Sequence, residues 1–190
     1  SMMDIPPSRM FLIRDALKKY RDSYGADAVT YDASQGDGGA SLPGVPVEIL
    51  ERALRLQIEH GTAYDQPWGT PQFRKAAVES YWQLDAATGW GPENVAFVQG
   101  GRDGLQKAYA AMIQGGNQQI GDALVVSRVP WISYNWGPYA LGLNVMLAPG
   151  RPEDGWRYTP DGIRACAELA ERDGRKIAGL VLTSPDNPTG

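Results

Sequence analysis

The sequence predicts an α/β fold built on a mainly parallel sheet with flanking helices. From Val95 onward, short runs rich in β-branched and aliphatic residues alternate with helical stretches, and each run is followed by turn residues that open the next helix. Crossovers of this kind join parallel strands. Ahead of Val95 the chain reads as helices and loops only, so a helical segment precedes the sheet.

The first helix is expected over residues 9–24. Ser8 can cap it after Pro6-Pro7, Met10, Ile13, Leu17 and Tyr24 share one stripe, and Gly25 stops it. A glycine-rich loop, Gln35-Gly36-Asp37-Gly38-Gly39, follows. Pro46 suits the first position of a second helix that reaches His60 and stops at Gly61. Thr70-Pro71 repeats that signal for a third, running through Phe73, Ala77, Tyr81 and Leu84 to Gly89. Strands are expected over 95–99, 123–127, 144–148 and 177–183. Helices are expected between them over 102–114, 132–141 and 160–173, the last capped by Thr159 and stopped by Gly174. Residues 1–60 thus form an N-terminal arm with helices, and 61–190 begin the sheet domain.

Composition narrows the function classes. The 190 residues carry 18 Lys and Arg against 22 Asp and Glu, a formal charge of −4, which argues against a basic nucleic-acid surface. No apolar run approaches the roughly 20 residues that cross a bilayer. A single cysteine, Cys166, excludes a disulfide within the chain and, with no apolar leader, predicts a reducing cytoplasm. Cys166 shares an apolar stripe with Ile163 and Leu169 and reads as core. One histidine, His60 at a helix end, leaves few ligands for zinc. Arg172, Arg175 and Lys176 read as a solvated turn.

In sheets of this kind, ligands bind at the carboxyl ends of the strands. After the first expected strand, Gln99-Gly100-Gly101-Arg102-Asp103-Gly104 opens directly into a helix. Adjacent glycines admit close backbone approach, and the unpaired amides at a helix start attract an anion such as phosphate. The turn has neither the Walker pattern nor the dinucleotide glycine spacing. After the second strand, Trp131 can offer its face to a flat heteroaromatic ring. After the last, Asn187 stands between two prolines and carries a neutral hydrogen-bond donor. An anion cradle, an aromatic face and a fixed donor at one sheet edge suit a planar phosphorylated ligand. On these residues alone, a cofactor enzyme and a non-catalytic module for a sugar phosphate or nucleotide both remain open.

The closing segment Ser184-Pro185-Asp186-Asn187-Pro188-Thr189-Gly190 resembles the Asn-Pro-x-Asn-Pro-Thr-Gly signature of the class I/II aminotransferases, fold type I enzymes that use pyridoxal 5′-phosphate. The resemblance extends from the first helix to the end and implies the first half of that family's large domain. It places Gly100, Gly101 and Arg102 at the phosphate turn. Trp131, with Tyr134 three residues on, falls at the aromatic over the pyridine ring, and Asn187 at the donor to the phenolic O3′. Tyr64, in Tyr64-Asp65-Gln66-Pro67-Trp68-Gly69, matches a tyrosine that reaches the neighbouring subunit's cofactor phosphate, which implies a homodimer. Gly36 matches the segment near the substrate carboxylate. The implied reaction moves an amino group between an amino acid and a 2-oxo acid. A lyase, cyclase or oxidative reaction on the same scaffold is the alternative.

Two positions depart from the family pattern. Arg102 replaces a small or uncharged polar residue, and either adds charge to the phosphate site or points to solvent. Asp186 replaces a common Asn, a minor change. The family's cofactor-binding Lys, its pyridinium Asp, a further Tyr and its carboxylate-binding Arg all fall beyond the final motif. Lys18, Lys19, Lys75, Lys107 and Lys176 match none of these positions. The chain therefore reads as the N-terminal half of such an enzyme, inactive by itself.

Overall fold

The computed structural model describes residues 9–29, 43–115 and 118–190, so Gly36 and its glycine-rich loop lie outside the described residues. The chain divides into two units, Ser1–Tyr64 and Asp65–Gly190.

In the first unit, α1 spans Arg9–Tyr24 and α2 spans Val47–His60. Pro46 caps α2 rather than opening it, with φ −53° and ψ 139°, and its carbonyl accepts the Leu50 amide at 3.2 Å. Gly61 ends α2 at φ 67°, its amide returning to the Gln57 carbonyl at 2.9 Å. Val47, Leu50, Leu54 and Ile58 recur at helical spacing and are all exposed within the chain.

The second unit holds α3 (Pro71–Ala76), α4 (Gly101–Gln114), α5 (Ile132–Ala140), α6 (Pro160–Arg172) and strands β1 (Ala123–Val126), β2 (Asn144–Leu147) and β3 (Ile177–Leu180). The strands form one parallel sheet in the order β2-β1-β3. All four residues of the central β1 are fully buried. That burial is why the Ala-Leu-Val-Val run shows no polar alternation: both faces of a central parallel strand are covered. Leu124 joins Tyr109 and Leu143 on one side, with Leu105 and Met112 packed against them. Val125 joins Cys166 and Ala148 on the other, so Cys166 is core as expected. Gly179 lets β3 pass close to this core: a Cβ there would sit 3.1 Å from Leu124 and 3.2 Å from Met112, a tight fit.

A buried carboxylate sews the amino ends of the strands together. Asp122 accepts the Gln119 amide at 2.8 Å and the Lys176 amide at 2.9 Å, and these two bonds hold its carboxyl below the usual range. Arg175 donates to the Gly121 carbonyl at 2.8 Å. The expected solvated turn at 172–176 is therefore partly structural, a tie between residues 54 apart that no local pattern encodes. A depressed carboxyl stabilises the fold above its ordinary pKa, and that stability is lost as the pH falls through the depressed value. Asp122→Asn should accordingly lower the melting temperature at neutral pH, with the gap to the unmodified protein closing as the solution is acidified. An equal gap across the acid range in thermal melts would contradict this role.

Three expectations change. Residues 95–99 form no strand; their backbone bonds run from the Val95 amide to the Pro92 carbonyl at 3.3 Å and from the Phe97 amide to the Trp68 carbonyl at 2.9 Å. Among the described residues no strand lies beside this segment to complete a ladder, so its β-rich composition alone does not make a strand. The third helix begins as expected, Thr70 Oγ1 accepting the Phe73 amide at 3.2 Å. It then widens into a π-helical turn over Ala77–Tyr81 and ends before Leu84, Gln83 taking the left-handed φ of 51°. The strands stop at Val126, Leu147 and Leu180, one to three residues short of the expected ends.

Candidate functional site

The carboxyl ends of β1 and β3 and the start of α4 carry the residues singled out from the sequence. Gly100 caps α4 at φ 87° and ψ 166°, a left-handed angle that glycine adopts without strain. The amides of Gly101, Arg102 and Asp103 follow in the first turn, where no carbonyl of the helix itself can accept them. A Cβ at Gly101 would meet no atom within 4 Å, so open space faces this turn. Asp103 accepts the Gln99 amide at 2.9 Å and the Lys107 ammonium at 2.5 Å. These contacts, the lysine bond first, hold its carboxyl below the usual range and offset the negative charge near the amides.

Trp131 follows Pro130 and caps α5, its carbonyl accepting the Tyr134 amide at 2.9 Å. The Tyr134 ring meets the indole edge-on, with centroids 5.3 Å apart and planes at 80°. The Arg102 guanidinium lies 5.3 Å from the indole centroid. The Arg102 side chain is exposed, and its charge rests over an aromatic ring, a contact worth about 0.5–1 kcal/mol at an exposed site. Spacing along the chain could not reveal this, because the two residues are 29 positions apart.

Past β3 the chain turns sharply. The Val181 amide donates to the Val125 carbonyl at 2.9 Å, and the Thr183 hydroxyl donates to the Tyr134 hydroxyl at 2.9 Å. Both Ser184–Pro185 and Asn187–Pro188 are cis. Asp186 organises the turn: its carboxylate accepts the Asn187 amide at 2.9 Å and its carbonyl accepts the Gly190 amide at 2.8 Å. An Asn here would offer the same Oδ1 acceptor, which is why the departure at 186 is mild. The Asn187 side chain is exposed.

Tyr64 closes the first unit, and its side chain is fully exposed within the chain. Gly36 lies outside the described residues.

Sequence reasoning missed Tyr158. Its phenol donates to the Val181 carbonyl at 2.5 Å and hydrogen-bonds Ser127, which is buried at the end of β1. Burial first, then the nearby Asp186 carboxylate, pushes this phenol up to about 12, so it stays a donor at every physiological pH. Nothing in Arg157-Tyr158-Thr159 signals that role, since both partners come from other elements. A cleft of about 470 Å³ in the second unit follows β2 and α6 past Asn144, Cys166 and Arg175. Neither the start of α4 nor Trp131 nor Asn187 lines it.

These features define a parallel α/β domain in which a glycine-led helix start and Trp131 lie close together. The family model for aminotransferase class I and II matches residues 32–190, and the chain belongs to that family. It is 28% identical over 166 residues to the aspartate/prephenate aminotransferase of Thermus thermophilus, covering 87% of this chain and 39% of that protein. It is 26% identical over 148 residues to the aspartate aminotransferase of Pyrococcus horikoshii, covering 76% of this chain and 34% of that one. The solved structure of Thermus thermophilus aspartate aminotransferase with maleate superposes at a TM-score of 0.72 and 24% identity, over 97% of this chain and 44% of its own. An aminotransferase from Mycobacterium tuberculosis superposes at 0.67 and 22% identity, over 97% and 43%. The α/β fold expected from the sequence is therefore that of the fold type I aminotransferases. The chain spans less than half the length of these relatives.

Proposed function

We propose that this chain supplies the cofactor cradle of a pyridoxal phosphate-dependent aminotransferase, which moves an amino group between an amino acid and a 2-oxo acid. The observation that carries this reading is the open first turn of α4 beside Trp131. The first-turn amides have no acceptor within the helix, a Cβ at Gly101 would meet nothing within 4 Å, and the Arg102 guanidinium of the same turn lies 5.3 Å from the Trp131 centroid. That donor set fits a phosphate ester on a flat ring. Bound there, the cofactor supplies an electron sink for charge developing at the amino acid Cα.

The chain's own residues bind and orient. The amides of Gly101, Arg102 and Asp103 hold the phosphate, with Arg102 adding charge at the rim. Trp131 lays its face against the pyridine ring, and the Asn187 amide donates to the phenolic oxygen. Gly36 contributes backbone near the substrate carboxylate. Tyr64, exposed at a loop, crosses to the phosphate of a second copy and so makes the working unit a homodimer. The Lys that holds the cofactor covalently comes from sequence beyond Gly190. The protein works in the cytoplasm.

The test uses the full-length protein with pyridoxal phosphate and a panel of amino donors. Aspartate comes first, because the Thermus and Pyrococcus relatives carry its name. Amino transfer to a 2-oxo acid that depends on added cofactor is expected. Absence of cofactor binding, or consumption of the amino acid with no amino acid formed from the 2-oxo acid, would overturn the reading. Tyr64→Phe should raise the cofactor Kd by roughly tenfold, through one lost hydrogen bond to a charged group. Unchanged retention, measured by dialysis and absorbance, would remove Tyr64 from the site.

A further inference from the structure

Asn187 orients a ligand only if its loop is held relative to Trp131, and the two belong to segments 56 residues apart. β3 ends at Leu180, so the sheet ladder does not reach residues 182–190. Among the described residues, one hydrogen bond joins that stretch to the rest of the protein: Thr183 Oγ1 to the Tyr134 hydroxyl at 2.9 Å. The remaining bonds of the stretch are internal and centre on Asp186.

Tyr134 also restrains the indole directly. It lies in the first turn of α5, its amide bonded to the Trp131 carbonyl and its ring set edge-on against the indole. α5 is locked in turn to α4. Gln106 Nε2 donates to the Gly137 carbonyl at 3.3 Å, and the Tyr109 ring packs where a Cβ at Gly137 would stand 3.1 Å away. Tyr109 is fully buried, with a hydroxyl that has no partner among the described residues, and burial together with the neighbouring Tyr134 raises its pKa. Trp131 and the loop that carries Asn187 therefore meet at the single side chain of Tyr134, on a helix packed against α4.

We propose that Tyr134 is a positioning residue: through its hydroxyl bond to Thr183 it sets the spacing between the Trp131 face and the Asn187 amide. The proposal rests on the cofactor reading above, with Asn187 as donor to the phenolic oxygen. Tyr134→Phe keeps the edge contact with the indole and removes only the clasp. Thr183→Val removes the same bond from the other side, and Thr183→Ser keeps it.

The test is made on the full-length protein, with and without pyridoxal phosphate. Without cofactor, Tyr134→Phe and Thr183→Val should speed amide hydrogen exchange in the stretch after Thr183, and Thr183→Ser should not. With cofactor, each of the first two variants should raise the spectroscopic pKa of the bound cofactor by about half a unit, in the same direction as Asn187→Ala, while its Kd stays within about twofold. The double variant should shift it no further than either alone, because one bond is lost in all three. Thr183→Ser should restore the unmodified value. Shifts that add, or an unmoved pKa in Tyr134→Phe and Thr183→Val while Asn187→Ala does shift it, would overturn the positioning role and leave the cofactor reading standing. Failure of the unmodified protein to bind the cofactor, or of Asn187→Ala to shift its pKa, would overturn both.

Discussion

Replacing Gly101 with Val should leave the fold intact and raise the Kd for pyridoxal phosphate at least about a hundredfold. The chain tolerates the side chain: a Cβ at Gly101 meets nothing within 4 Å, and the residue is not among the glycines with left-handed φ. On the proposed reading, the space it fills is that of the phosphate. A bulky branched group there displaces the phosphate from two amides, each charge-assisted bond being worth about 1.5–3 kcal/mol. At about 1.4 kcal/mol per decade, that is two orders of magnitude or more in affinity. Gly100→Val is the contrasting variant, because Gly100 sits at φ 87° and a β-branched residue there strains the turn itself. Arg102→Ala should cost less than Gly101→Val, since an exposed charge is screened by solvent. Cofactor titration beside a thermal melt separates the three. Wild-type affinity in a folded Gly101→Val protein would show that the phosphate binds elsewhere.

Asn187→Ala should raise the spectroscopic pKa of the bound cofactor by about 1–2 units. The sign follows from the direction of the bond. In the proposed site the Asn187 amide donates to the phenolic oxygen, which favours the ionised form, so removing the donor favours the protonated one and moves the titration upward. Trp131→Ala acts differently, because stacking holds the ring whatever its charge, so affinity falls while the titration moves little. An absorbance titration that is unchanged in Asn187→Ala and shifted in Trp131→Ala would reverse these assignments.

How much of this was legible in the sequence depends on the range of the interaction. Helix starts at Thr70 and Thr159 and the stop at Gly61 were readable, because caps act within one turn. The parallel order was readable from the alternation of strand runs with helices, and the glycine turn from its position just ahead of α4. The expected strand at 95–99 failed because a strand is completed by its neighbour, and composition does not specify one. The third helix was overextended because its apolar spacing continues past Tyr81, while the backbone turns at Gln83. Arg102 over Trp131, Thr183 on Tyr134, Tyr158 on Val181 and Asp122 on Lys176 were not legible at all. Each joins residues between 23 and 54 positions apart, and each exists only because the sheet brings the ends of its strands together.

The most direct test is a crystal structure of the full-length protein with pyridoxal phosphate. The phosphate is expected within hydrogen-bond distance of the Gly101 and Arg102 amides, the pyridine ring against the face of Trp131, and the Asn187 side-chain amide on the phenolic oxygen. A phosphate bound away from the start of α4, or a ring with no contact to Trp131, would contradict the assignment of this edge of the sheet as the cofactor site.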